Sequence, residues 1–127
     1  MLKKIVYQDL IDHFNMKKSM IEHQKDILYF AKVVTKTAKS GGCIFLCGNG
    51  GSAADSQHLA AELVGRFEKE KKPIKSLSLT TDTSVITALS NDYSNDIIFK
   101  RQLTALARPN DLLLAISTSG NSKNILE

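Results

Sequence analysis

Long apolar runs, cysteines and charge of one sign are all scarce in this chain of 127 residues. No stretch approaches the roughly 20 apolar residues needed to cross a bilayer. Met1-Leu2-Lys3-Lys4 leads into polar residues rather than the apolar segment of a secretory signal. The expectation is a cytoplasmic protein with no membrane partner. Cys43 and Cys47 are the only cysteines. Four residues apart in a stretch that reads as a strand, they are too distant to bond each other, and read as small buried hydrophobes of a reducing compartment. Lys and Arg number 17 against 13 Asp and Glu, a net charge of +4. The excess is scattered over Lys3-Lys4, Lys17-Lys18 and the mixed run Glu68-Lys69-Glu70-Lys71-Lys72. That pattern reads as solvated surface and points to no nucleic-acid partner. Hydrophobic residues make up 43%, enough for an ordinary core, and the length suits one domain. No internal repeat or linker is visible.

No Pro or Gly occurs before Gly41, and apolar residues recur at helical spacing over 7–39. The length predicts two helices with a break at about 15–20. After Gly41-Gly42, the run Cys43-Ile44-Phe45-Leu46-Cys47 is continuously apolar, as expected of a strand buried on both faces. A helix is predicted over 53–66, a strand over 76–79, a short helix over 83–89, a loop over 90–93 and a helix over 96–107. Leu112-Leu113-Leu114-Ala115-Ile116 reads as a third buried strand. Strands alternating with helices imply right-handed crossovers and a parallel sheet. The last residues, 121–127, read as the start of a further helix.

In open parallel sheets ligands bind beyond the carboxyl ends of the strands, and two of the three strands end in turns suited to that task. Gly48-Asn49-Gly50-Gly51 allows a sharp turn and a close approach of backbone to a ligand, with Ser52 as an N-cap. Its spacing matches neither the dinucleotide fingerprint nor the P-loop. The other turn places Ser117, Thr118, Ser119 and Ser122 where a buried strand meets a helix. Capping needs one hydroxyl, and the surplus favours a phosphate cradle. Between the turns in sequence, Asp55, His58, Glu62 and Arg66 recur at helical spacing on one face. A solvated stripe with a Glu62–Arg66 ion pair would explain them. His58 and Glu62, one turn apart, could also both reach one metal ion, although a catalytic zinc site needs about three protein donors.

These segments resemble a known family. Gly48-Asn49-Gly50-Gly51-Ser52 with Asp55, His58, Glu62 and Arg66, then Thr81-Asp82-Thr83-Ser84 with Asn91-Asp92-Tyr93, then Ser117-Thr118-Ser119-Gly120-Asn121-Ser122, are similar in order and content to the phosphoheptose isomerases of the sugar isomerase (SIS) fold. The resemblance implies a three-layer αβα sandwich around a parallel sheet, flavodoxin-like. Residues 1–40 would form a helical segment that packs in the oligomer, and residues 41–127 the SIS domain. It also implies a cytoplasmic homotetramer with active sites between subunits. The implied reaction converts sedoheptulose 7-phosphate to D-glycero-D-manno-heptose 7-phosphate through an enediolate, toward ADP- or GDP-heptose for lipopolysaccharide or capsule. Carried over by position, Glu62 is the base and His58 and Glu62 are ligands of one zinc ion per subunit. Asn49, Gly50, Gly51, Ser52, Glu62, Arg66, Asn91, Asp92, Ser117, Thr118, Ser119 and Ser122 are the sugar-phosphate contacts.

The family chain continues through further strands and a helix carrying a Gln and a His of the zinc site, and nothing here matches either. The expectation is therefore a domain incomplete at its C-terminus, with zinc binding and turnover impaired. A non-catalytic SIS protein is the alternative, either a sugar-phosphate-binding module or a partner of the DnaA initiator type. That second type lacks the helix carboxylate, so Glu62 favours the enzyme. No basic helix-turn-helix precedes Gly41, which argues against a SIS regulatory domain.

Overall fold

The computed structural model describes residues 1–127, which fall into two units, Met1–Val33 and Val34–Glu127. The first holds α1 (Leu2–Ser19) and the beginning of α2 (Gln24–Lys39). Between them the chain tightens into successive i→i−3 bonds, Ile21 N–H to Lys18 O, Glu22 N–H to Ser19 O and His23 N–H to Met20 O. The Ser19 hydroxyl donates to Met16 O at 2.7 Å, a local bond that competes with helical continuation. The break therefore falls at 20–23, later than the sequence suggests. No residue of α1 is buried. Leu10 and Phe14 are 64% and 65% exposed, and Leu2, Ile5, Val6 and Tyr7 are exposed with them. No helix is long and apolar enough to cross a membrane.

The second unit is built on a parallel sheet of β1 (Ile44–Gly48), β2 (Ser76–Ser78) and β3 (Leu112–Ile116), in the order β2-β1-β3. Every residue of β1 is buried. Its side chains alternate between faces, as a strand requires. Phe45 and Cys47 join Leu79, Ile98 and Phe99 in one core cluster. Ile44 and Leu46 join Ala60 in the other, with Val34 and Leu63 packed against it. Helix α3 (Gly51–Val64) and the end of α2 thus line one face. Helices α4 (Thr83–Asp92), α5 (Ile98–Leu106) and α6 (Lys123–Leu126) line the other. This is the expected αβα sandwich. Each fully buried aliphatic side chain of β1 contributes about 1.5–3 kcal/mol.

Several boundaries differ from the sequence reading. Helix α3 stops at Val64, where Gly65 N–H bonds Ala61 O at 2.8 Å. The Lys71 ammonium donates to Leu63 O at 2.6 Å and Gly65 O at 3.0 Å. One lysine of the mixed-charge run thus satisfies terminal helix carbonyls rather than only meeting solvent. Helix α4 runs through Asp92, absorbing most of the loop expected at 90–93. The helix expected from 96 opens as a 3-10 turn, Asn95–Ile97, capped by the Ser94 hydroxyl.

At the amino end of the sheet, the Asp111 carboxylate accepts from Cys43 N–H and Arg108 N–H, both at 2.7 Å. Those bonds, led by the one from Cys43, hold the Asp111 carboxyl below the usual range. Leu112 N–H bonds Cys43 O at 2.9 Å beside them. A side chain at Gly42 would collide with the Asn110 carbonyl, so only glycine fits there. Both cysteines are free. Burial pushes the Cys47 thiol up to about 11. Burial and the Asp111 charge raise that of Cys43.

Candidate functional site

The glycine turn is shaped by two different constraints. A Cβ at Gly48 would lie 2.5 Å from Ser52 O, so the strand end passes too close to the first turn of α3 for any side chain. Gly50 has φ 54°, the left-handed region that favours glycine. Gly51 has neither constraint: a Cβ there would meet nothing within 4 Å. Ser52 is not the N-cap. Gly50 takes that position, because its left-handed turn starts the helix two residues earlier than a Ser52 cap would. Ser52 lies inside the first turn, its N–H donating to Asn49 O at 2.9 Å. The Gly50 and Gly51 amides have no backbone acceptor, and donors left unpaired at a helix start suit an anion.

The serine turn is partly engaged with itself. The Ser117 hydroxyl accepts from Gly120 N–H at 3.1 Å and lies 3.4 Å from the Ser122 hydroxyl. The Ser119 hydroxyl accepts from Asn121 N–H at 3.2 Å. Two of the hydroxyls that suggested a cradle therefore shape the turn, and Ser122 makes no side-chain cap bond. Helix α6 has only four residues, too few peptide dipoles for a strong macrodipole. An anion here would be held by hydroxyls and amides, Thr118 and Ser119 among them, which have no backbone acceptor.

Sheet register sets the two turns side by side, since Gly48 pairs with Ile116 at the strand ends. A reciprocal amide pair then joins them. Asn49 Nδ2 donates to Asn124 Oδ1 at 2.8 Å, and Asn124 Nδ2 donates to Asn49 Oδ1 at 2.9 Å. Asn124 was missed in the sequence. It sits one residue into a short helix, and nothing in spacing or residue type marks a pair 75 residues apart.

On α3, His58 Nε2 lies 3.9 Å from Glu62 Oε1, with side-chain exposures of 72% and 29%. Glu62 Oε2 is buried and has no hydrogen-bond partner, an arrangement that costs about 1–3 kcal/mol unless a donor or cation meets the carboxylate. A separation of 3.9 Å is within twice a zinc–ligand distance of about 2.0–2.2 Å, so one ion can touch both side chains. No group of three or more His, Cys, Asp or Glu side chains forms a metal cluster. The two residues fit as part of a donor set. Arg66 does not continue their stripe, because α3 ends at Val64. No Glu62–Arg66 ion pair forms; the Lys100–Glu127 pair does, and His23–Asp26 and His58–Glu62 are close contacts that become ion pairs only with the imidazole protonated.

Asn91 and Asp92 stand at the end of α4, exposed, with Asn91 Nδ2 donating to Asp92 Oδ1 at 2.8 Å. No hydrogen bond joins them to either turn. Beside them, the Arg101 guanidinium lies 4.8 Å over the Tyr93 ring and donates to its hydroxyl at 3.2 Å. The structure thus brings together Asn49, the glycines and the serine turn, and separately His58 with Glu62. No hydrogen bond or ion pair joins Arg66, Asn91 or Asp92 to either group.

The chain matches the SIS domain family over residues 12–127. It is 49% identical to the phosphoheptose isomerase of Campylobacter concisus, over 100% of this chain and 67% of that protein. It is 51% identical to that of Akkermansia muciniphila, over 92% of this chain and 60% of that protein. Among solved structures, it is similar to the phosphoheptose isomerase of Neisseria gonorrhoeae, with a TM-score of 0.91 and 38% identity over 99% of this chain and 66% of that one. The chain spans 60–67% of the length of these relatives.

Proposed function

This chain belongs to the SIS domain family, among its phosphoheptose isomerases, and from that premise we propose that it serves the isomerisation of sedoheptulose 7-phosphate to D-glycero-D-manno-heptose 7-phosphate. The product would supply ADP- or GDP-heptose for lipopolysaccharide or capsule, in the cytoplasm. The observation that carries the reading is the Glu62 carboxylate, half-shielded, facing His58 and unpaired at its buried oxygen.

Ketose-to-aldose conversion breaks the C–H bond at C1 and moves that electron pair into an enediolate. A proton then returns to C2. Glu62 takes the C1 proton as the general base. The amides of Gly50 and Gly51 and the serine turn hold the phosphate, and that remote binding orients the reacting carbons. Along α3 the rise per residue puts Glu62 about 16 Å from Gly51, while helix side chains lean toward the N-terminus and shorten the gap. The substrate would therefore lie extended along α3, which suits a seven-carbon sugar phosphate. His58 and Glu62 would hold zinc as two donors of a larger set. When bound, zinc supplies Lewis-acid stabilisation of the developing oxyanion. A homotetramer with sites between subunits would bring further residues to each site, Arg66, Asn91 and Asp92 among them. The exposed apolar residues of α1 support such an assembly.

The test joins this chain to the remaining third of the Campylobacter concisus relative and supplies sedoheptulose 7-phosphate with zinc in D2O. Heptose 7-phosphate and deuterium at the reacting carbons are expected by NMR. Glu62→Gln should lower turnover by about 10²–10⁴-fold while sugar-phosphate binding persists. Binding without exchange in the parent would overturn the isomerase reading and leave the sugar-phosphate-binding module.

A further inference from the structure

The reciprocal Asn49–Asn124 pair has a role that neither turn explains by itself. Asn124 is 6% exposed. Its helix is fixed from two sides, by Ile125 packed against the Phe45–Phe99 core cluster and by the Lys100–Glu127 ion pair at 3.1 Å. Asn49 has no such anchorage. It follows β1 directly, and the next residue, Gly50, already turns into the left-handed region.

Two hydrogen bonds at 2.8 and 2.9 Å close a ring between the amides. The ring demands an amide on each side, since turning over either one alone sets oxygen against oxygen and nitrogen against nitrogen. Removing Asn49 leaves the buried Asn124 amide unpaired, and removing Asn124 leaves the exposed Asn49 with no partner to fix it. The pair is also the only side-chain hydrogen bonding that links the glycine turn to the segment carrying the serine turn; the serine hydroxyls bond within their own turn.

We infer that Asn124 is a positioning residue, which holds the glycine turn at a fixed distance from the serine turn so that one phosphorylated sugar can engage both. Asn49 then acts on the ligand through the backbone it orients, because its side chain is committed to Asn124. This rests on the sugar-phosphate reading above.

The test uses NMR on the 127-residue chain, first without ligand. In Asn124→Ala, order parameters at Gly50 and Gly51 should fall from the rigid value of about 0.85 toward 0.6, with the core amides unchanged. Unchanged values at both glycines would overturn the inference, whatever the chain binds. The second arm titrates sedoheptulose 7-phosphate. Asn49→Ala and Asn124→Ala should each weaken binding about tenfold, and the double variant should be no weaker than either single one. Additive losses, or a far larger loss for Asn49→Ala, would overturn it, since independent sites add and members of one pair do not. If the parent binds no sugar phosphate, the functional reading fails and the first arm alone decides the positioning role. Should alanine at 124 prevent folding, Asn124→Asp keeps shape and one hydrogen bond while losing the donor, and the same outcomes apply.

Discussion

A methyl group added at Gly51 would stand in open space, whereas one at Gly48 would press on the Ser52 backbone. The two substitutions should therefore part company. Gly51→Ala keeps the fold, since the added methyl group meets nothing; a melting temperature equal to or above the parent's checks this. Sedoheptulose 7-phosphate should bind it less well, because the methyl group occupies the space a ligand would use. Gly48→Ala should cost about 1–3 kcal/mol, as overpacked sites do, read as a lower denaturant midpoint. From the sequence, the run of glycines signalled a tight turn at a strand end. Which glycine serves the chain and which leaves room for something else was not legible, since that depends on distances across the turn. Ser52 shows the same limit: serine suits an N-cap, but the φ of Gly50 had already decided where the helix begins.

Strand and helix ends depend on caps that come from far along the chain. Asp111 is the clearest case, tying Cys43 to Arg108 at the amino end of β1 and β3. Its carboxyl is held below its usual range by the N–H groups of Cys43 and then Arg108. A depressed folded-state pKa contributes stability that is present above the unfolded value of about 3.9 and is lost as pH falls through the folded value. Asp111→Asn should therefore lower the melting temperature at pH 7, and the difference from the parent should shrink below about pH 4. A pH-independent difference in thermal scans from pH 3 to 7 would remove the charge from this account. The three strands were legible because continuous apolar runs admit little else. The ends of α3 and α4 were not, because Lys71 reaches back to close the first and nothing polar in Ser90-Asn91-Asp92 prevents the second from continuing.

At the scale of the whole molecule, α1 has no buried residue and a row of exposed apolar ones, Leu10 and Phe14 among them. If the proposed assembly forms through α1, Leu10→Asp combined with Phe14→Asp should lower the sedimentation coefficient while helical circular dichroism persists; an unchanged coefficient would exclude α1 from any interface. The alternation of strands and helices gave away the sandwich, and the order of motifs along the chain gave away the family. That Arg66, Asn91 and Asp92 make no hydrogen bond to either the turns or the His58–Glu62 pair could not be read from spacing, because spacing speaks only within one element.

The register that pairs Ile44 with Leu112 and Gly48 with Ile116 makes β1 and β3 a short ruler with a stop at each end. Five residues at about 3.3 Å each span about 16 Å, and the Asp111 clamp fixes one end. A slip of one residue at the clamp would carry one turn about 3.3 Å past the other and reverse which face each β3 side chain meets. Tolerance at the turns is thus set by substitutions at the opposite end of the sheet. Changes at Gly42 or Asp111 would be felt as lost affinity by a ligand that touches neither.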